Sequence, residues 1–165
     1  MEYLTWASIV FAAALCLVEW QDAKGNDLTK RPISYFFKTG TSVVQSTMFA
    51  VLALALWFHS YQLGWNWLSG SLSVVGVGLV LAMSTDTWPK LFFGLDRALH
   101  YTGAALCFIA GLSMMLAVGT YGYASAYAFG ALLLYLVDRE HTAVQEKVGV
   151  LMLIVWTFSY SIGWF

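Results

Sequence analysis

A chain of 165 residues that is 60% hydrophobic and only 10% charged has too little polar surface to wrap a water-soluble globule, since soluble domains carry about 25% charged residues. A formal net charge of −1, with eight Lys and Arg divided among three short segments, gives no concentrated basic surface and excludes a nucleic-acid partner. Cys16 and Cys107 lie in apolar runs without CxxC spacing, which leaves no basis for a disulfide framework or a thiolate metal site.

A membrane-spanning helix needs about 20 mainly apolar residues, because each residue rises 1.5 Å through a hydrocarbon core about 30 Å thick. By that measure the first apolar run, 3–19, is a span. It begins Met-Glu-Tyr, with an acid where a secretory signal has a basic region, and no small-residue cleavage site precedes Glu19, so it is read as retained. The segment that follows, to Lys38, carries charges, a Gly-Asn turn, Pro32 and the aromatic run Ser-Tyr-Phe-Phe, which suits the headgroup layer. The charge-free stretch 39–85 is long enough for two spans, predicted at 42–61 and 66–85 with a turn near Gly64. Residues 86–97 carry Thr87, Pro89 and Gly94 at positions suited to cap, open and end a short interfacial helix. The stretch 98–137 again holds two spans, predicted at 98–118 and 122–138 around a turn over 119–123, near Tyr121. Thr142 and Gln145 stand at capping-box spacing before a last span, 144–164.

The fold class expected is therefore all-α: a polytopic membrane protein with a compact bundle of six transmembrane helices in one domain, 1–165. With six spans, every Lys and Arg falls on the same side as the three charged connections. Basic loops are retained in the cytoplasm, so the chain is expected in the inner (plasma) membrane with both termini extracytoplasmic. Trp57, Tyr61, Trp65, Trp67, Tyr121, Tyr123 and Trp164 are expected at the outer interface as aromatic anchors.

In lipid, helices are held by close backbone approach at small residues. Gly103, Cys107 and Gly111, spaced by four, predict such a packing face on the fourth helix, with Gly70, Ser73, Gly76 and Val77, and Gly78 beside them, offering one on the third. Ionisable groups collect at the inner end: Asp86 after the third helix, Asp96 and His100 on the fourth, Asp138 and His141 after the fifth. Asp96 and His100 are four apart, so on a helix the carboxylate could orient the imidazole. The pair His141 and Asp138 repeats that spacing by three.

Two histidines with nearby carboxylates could hold a divalent metal, or act as general base and orienting acid on a lipid headgroup. The bland alternative has the acids capping helices or pairing with Arg97, Arg139 and Lys147. Ser42, Gln45 and Ser46 at the start of the second helix either bond between helices or line a polar cavity at that level. His59 and His100 should stand roughly 25 to 30 Å apart, so they cannot ligate one haem. His100 and His141 sit at the membrane edge, and haem is disfavoured. His59 is expected to bond near Tyr61 and Gln62. No carboxylate or base lies at mid-membrane depth, which counts against a proton-coupled transporter.

The function expected is that of an accessory or scaffold subunit, working through helix contacts with lipids and with other membrane subunits or further copies of itself. The alternative is a small intramembrane enzyme, or a lipid- or metal-binding protein, using Asp86, Asp96, His100, Asp138 and His141 at the cytoplasmic leaflet.

Overall fold

The computed structural model describes residues 1–22, 42–82, 96–137 and 142–165. Among them lie six α-helices and no strand: α1 (Glu2–Asp22), α2 (Ser42–Leu63), α3 (Trp67–Ala82), α4 (Asp96–Ala117), α5 (Tyr121–Val137) and α6 (Thr142–Ser161). By length and composition, the stretches Glu2–Trp20 and Ala98–Ala117 are apolar and long enough to cross a membrane, and Trp67–Ala82 is apolar but shorter.

Turn chemistry ends the helices where the apolar runs break. Gly64 and Gly119 take φ of +68° and +78°, a left-handed conformation that costs glycine nothing. The Thr120 N–H returns to the Met115 carbonyl at 3.0 Å, the long-range bond that closes a left-handed helix terminus. Asn66 then opens α3 through a reciprocal cap. Its Oδ1 accepts from the Ser69 N–H at 2.8 Å, while Ser69 Oγ accepts from the Asn66 N–H at 3.0 Å, which satisfies two amides that the first turn would otherwise leave open.

Each helix packs against the next in chain order, and α6 returns to α1, closing a ring of six; α4 also touches α6. Neighbours run antiparallel. Thr5 near the start of α1 bonds Ser161 at the end of α6, and Glu19 near the end of α1 pairs with Lys147 near the start of α6. One end of the ring thus carries both chain termini and the turns at Gly64 and Gly119. The helix ends flanking 23–41, 83–95 and 138–141 lie together at the other. Leu4 and Phe11 of α1, Leu52 and Leu56 of α2, Leu72 of α3, Met114 and Met115 of α4 and Trp156 of α6 are almost wholly enclosed in a shared core.

The tightest join is between α3 and α4, where backbone meets backbone. A Cβ on Gly78 would lie 2.8 Å from the Gly103 carbonyl oxygen, and one on Gly103 would lie 2.5 Å from Ala82 N. Cys107 sits on this seam, its thiol directed at the Val75 carbonyl at 3.6 Å. Gly111 faces elsewhere: its nearest neighbours are Leu153 of α6 and Tyr127 of α5. The spacing of four that made Gly103, Cys107 and Gly111 look like one face drifts around a helix of 3.6 residues per turn, and by Gly111 the face has turned toward α5 and α6.

Trp57 has a partner that its position in the sequence did not announce. Its indole N–H donates to the Ser73 carbonyl at 3.0 Å and its ring covers Gly76, so it joins α2 to α3. Tyr123 packs against Phe165, ring centroids 5.4 Å apart. Tyr61, Trp65, Trp67, Tyr121 and Trp164 are exposed around the end that carries the termini.

Candidate functional site

The densest polar arrangement among the described residues lies at that same end, between α1, α2 and α6. His59, in the last turns of α2, is 5% exposed. Its Nδ1 is 2.8 Å from the Tyr3 hydroxyl of α1, and its Nε2 is 3.2 Å from the Tyr160 hydroxyl of α6. The Tyr3 hydroxyl in turn donates to Gln62 Oε1 at 2.5 Å.

These partners determine which nitrogen carries the proton. A phenol has one hydrogen, and that of Tyr3 is directed to Gln62. Toward His59 the Tyr3 oxygen can therefore only accept, so Nδ1 is the donor. Nε2 of the neutral ring is then an acceptor, filled by the Tyr160 O–H. The bonds run in one direction, Tyr160 to His59 to Tyr3 to Gln62, and join three helices through one imidazole.

The arrangement continues by packing. Tyr160 stacks on Trp156, with centroids 5.1 Å apart and planes 5° from parallel. The Trp156 indole N–H donates to Thr120 Oγ1 at 2.8 Å, and Thr120 Oγ1 donates to the Met115 carbonyl at 2.7 Å. The turn between α4 and α5 is thereby tied through α6 to α2 and α1. Buried polar groups of this kind stabilise a fold only when each has a partner; every ring nitrogen and hydroxyl named here has one.

The expectation that His59 bonds near Tyr61 and Gln62 is corrected in part. Tyr61 is exposed, and Gln62 is reached only through Tyr3. One turn of helix separates His59 from Gln62, but Tyr3 and Tyr160 come from the chain's two ends, and no local spacing could have paired them with His59. The one available signal was composition: a His, Ser, Tyr, Gln run closing an otherwise apolar helix.

At the opposite end, His100 Nδ1 is 2.9 Å from the carbonyl oxygen of Ala82. A carbonyl only accepts, so Nδ1 donates, and His100 serves as a cap on the last turn of α3. At Nδ1 the ring is thus held by a backbone carbonyl of the neighbouring helix. Asp96 is the first residue of α4, and its side chain lies outside the described residues. So do Asp86, Asp138 and His141 entirely. Among the described residues no three His, Cys, Asp or Glu side chains gather as a metal site. The ion pair described at this end joins Lys147 Nζ to Glu19 Oε2 at 2.8 Å, both side chains 20% exposed.

Comparison with known protein families, with characterised proteins and with solved structures gives no match.

Proposed function

We propose that this chain is a six-span protein of the inner (plasma) membrane, with 23–41, 83–95 and 138–141 on the cytoplasmic side and both termini outside, serving as an accessory or scaffold subunit through helix contacts. The observation that carries the reading is the outside of the ring. Every helix turns a large apolar side chain outward: Ile9, Leu54, Val77, Ile109, Phe129 and Val155. In water such a surface would aggregate, whereas lipid tails solvate it at no cost. The charge pattern supports the same frame, since all eight Lys and Arg fall in or beside the three connections at one end.

Support for work through helix contacts comes from α5. Gly122, Ala126 and Gly130 repeat at four-residue intervals, and a Cβ on either glycine would meet nothing within 4 Å. A small-residue face of this kind is where a further helix approaches most closely in lipid.

Two measurements test the proposal. With Cys16 and Cys107 replaced by serine, a membrane-impermeant maleimide applied to intact cells is expected to label Trp65→Cys and Tyr121→Cys but not Lys30→Cys or Lys90→Cys; the reverse pattern overturns the topology. Native mass of the protein purified in mild detergent is expected to exceed one chain, or to include a co-purifying subunit. A protein that stays monomeric and alone at native expression levels overturns the accessory reading. Stoichiometric metal in that preparation, lost in His100→Ala, would favour the metal-binding alternative instead.

A further inference from the structure

We propose that His59 is an acid-sensitive clasp: its neutral ring holds α1, α2 and α6 together at the end bearing the termini, and its protonation releases them. The inference rests on the hydrogen-bond directions within the cluster and not on the accessory reading. The membrane orientation adds only which compartment would supply the proton.

The neutral ring offers one donor, to Tyr3, and one acceptor, to Tyr160, and the surroundings need that combination. A proton on Nε2 converts the acceptor into a second donor aimed at the Tyr160 hydroxyl. Tyr160 could accept it only by turning its own hydrogen away, and the described residues give that hydroxyl no other hydrogen-bond partner. On the Tyr3 side the bond survives, because Nδ1 is already the donor. The cost of protonation therefore falls on the junction with α6.

Charge works in the same direction. A cation 95% enclosed needs a counter-charge or rich hydration. From α1 the ring is faced by Tyr3 and the amino terminus, from α6 by Tyr160, and among the described residues α3 contributes near this level only the hydroxyls of Ser69, bonded to Asn66, and of Ser73, bonded to Ser60. Gln62 is neutral, and among the described residues no carboxylate touches the ring. An imidazolium would stand beside a like charge and an unsuited hydroxyl. Rotation of α6 away from α2, which admits water to Nε2, relieves both conflicts.

The closure also includes the Thr5 and Ser161 hydroxyls, 2.8 Å apart, and the Trp156–Tyr160 stack, so movement of Tyr160 loosens the last turns of α6 as a unit. The α3–α4 seam, which holds no titratable contact to this cluster, should not respond.

Amide hydrogen exchange of the full chain in nanodiscs, corrected for the intrinsic effect of pH on exchange, tests the clasp. Between about pH 7.5 and about pH 5, the range across which histidine ordinarily titrates, amides at 3–8 and 157–163 are expected to exchange roughly ten-fold faster, the scale of losing one buried hydrogen bond. Those of α3 and α4 at 75–79 and 103–110 should not change. His59→Gln, which keeps an amide donor and a carbonyl acceptor but cannot take up a proton in this range, is expected to stay protected at both pH values. Unchanged protection in the wild-type chain, or equal acid opening in His59→Gln, overturns the proposal. Should that variant fail to fold, the ring's own titration, followed by NMR of selectively labelled histidine, decides: opening must track the His59 resonance, and opening at a different pH sinks the clasp.

Discussion

The α3–α4 seam and the α1–α2–α6 closure hold the ring by opposite means. At the seam the interaction is contact between main chains, made where Gly78 and Gly103 have no side chain. The side-chain bonds there, from the Cys107 thiol to the Val75 carbonyl and from His100 Nδ1 to the Ala82 carbonyl, only add to that contact, and little can be exchanged without parting the helices. At the closure the helices are held by directed bonds among Tyr3, His59, Gln62 and Tyr160, each replaceable singly and each dependent on which atom bears a proton. One join is suited to permanence and the other to response. Dispersion between close backbones is insensitive to pH, whereas a hydrogen bond to imidazole is not.

Substitutions can separate the two. The largest effect is expected for Gly103→Leu, whose Cβ would fall 2.5 Å from Ala82 N and 2.6 Å from the Gly78 carbonyl oxygen. Main-chain atoms cannot swing aside, so a loss of about 3 kcal/mol, the upper range of overpacking, should appear in thermal or denaturant unfolding in detergent. Tyr160→Phe should cost about 1 kcal/mol by removing the donor to His59 Nε2, and it should flatten the acid response that the clasp predicts. A smaller change, under about 1 kcal/mol, is expected for Gly111→Ala: the new methyl would meet Leu153 Cδ1 at 3.3 Å, and the end of a leucine can yield. Gly122→Leu should leave unfolding of the isolated chain within about 0.5 kcal/mol of wild type, because a Cβ there meets nothing of its own chain within 4 Å. Equal tolerance of Gly103→Leu and Gly122→Leu would remove the distinction between a seam and an open face.

Helix positions were largely legible beforehand, because charge, glycine and asparagine interrupt the apolar runs where a helix must stop. The predicted 42–61 and 98–118 correspond to α2 at Ser42–Leu63 and α4 at Asp96–Ala117. Particular side chains were harder. Trp57 has the residue type and position of an interfacial anchor, yet its partner Ser73 could be found only by knowing the angle at which α3 lies on α2. His100 offered Asp96 as a partner by spacing. Its Nδ1 bonds the Ala82 carbonyl, an acceptor that a helix end brought alongside presents and that no pattern of side chains announces, while the Asp96 side chain lies outside the described residues.

From the order of its residues alone, this chain's division into six helical segments, its turns near Gly64 and over 119–123 and the gathering of its cations in and beside three connections could be deduced, since each follows from local conformation or from the expense of burying charge. The order of the helices around the ring, the pairing of Gly78 with Gly103 and the meeting of Tyr3, His59 and Tyr160 came only with the tertiary structure. Those contacts join residues 56 and 101 positions apart in the case of His59, and which faces meet at such range depends on the packing of all six helices together.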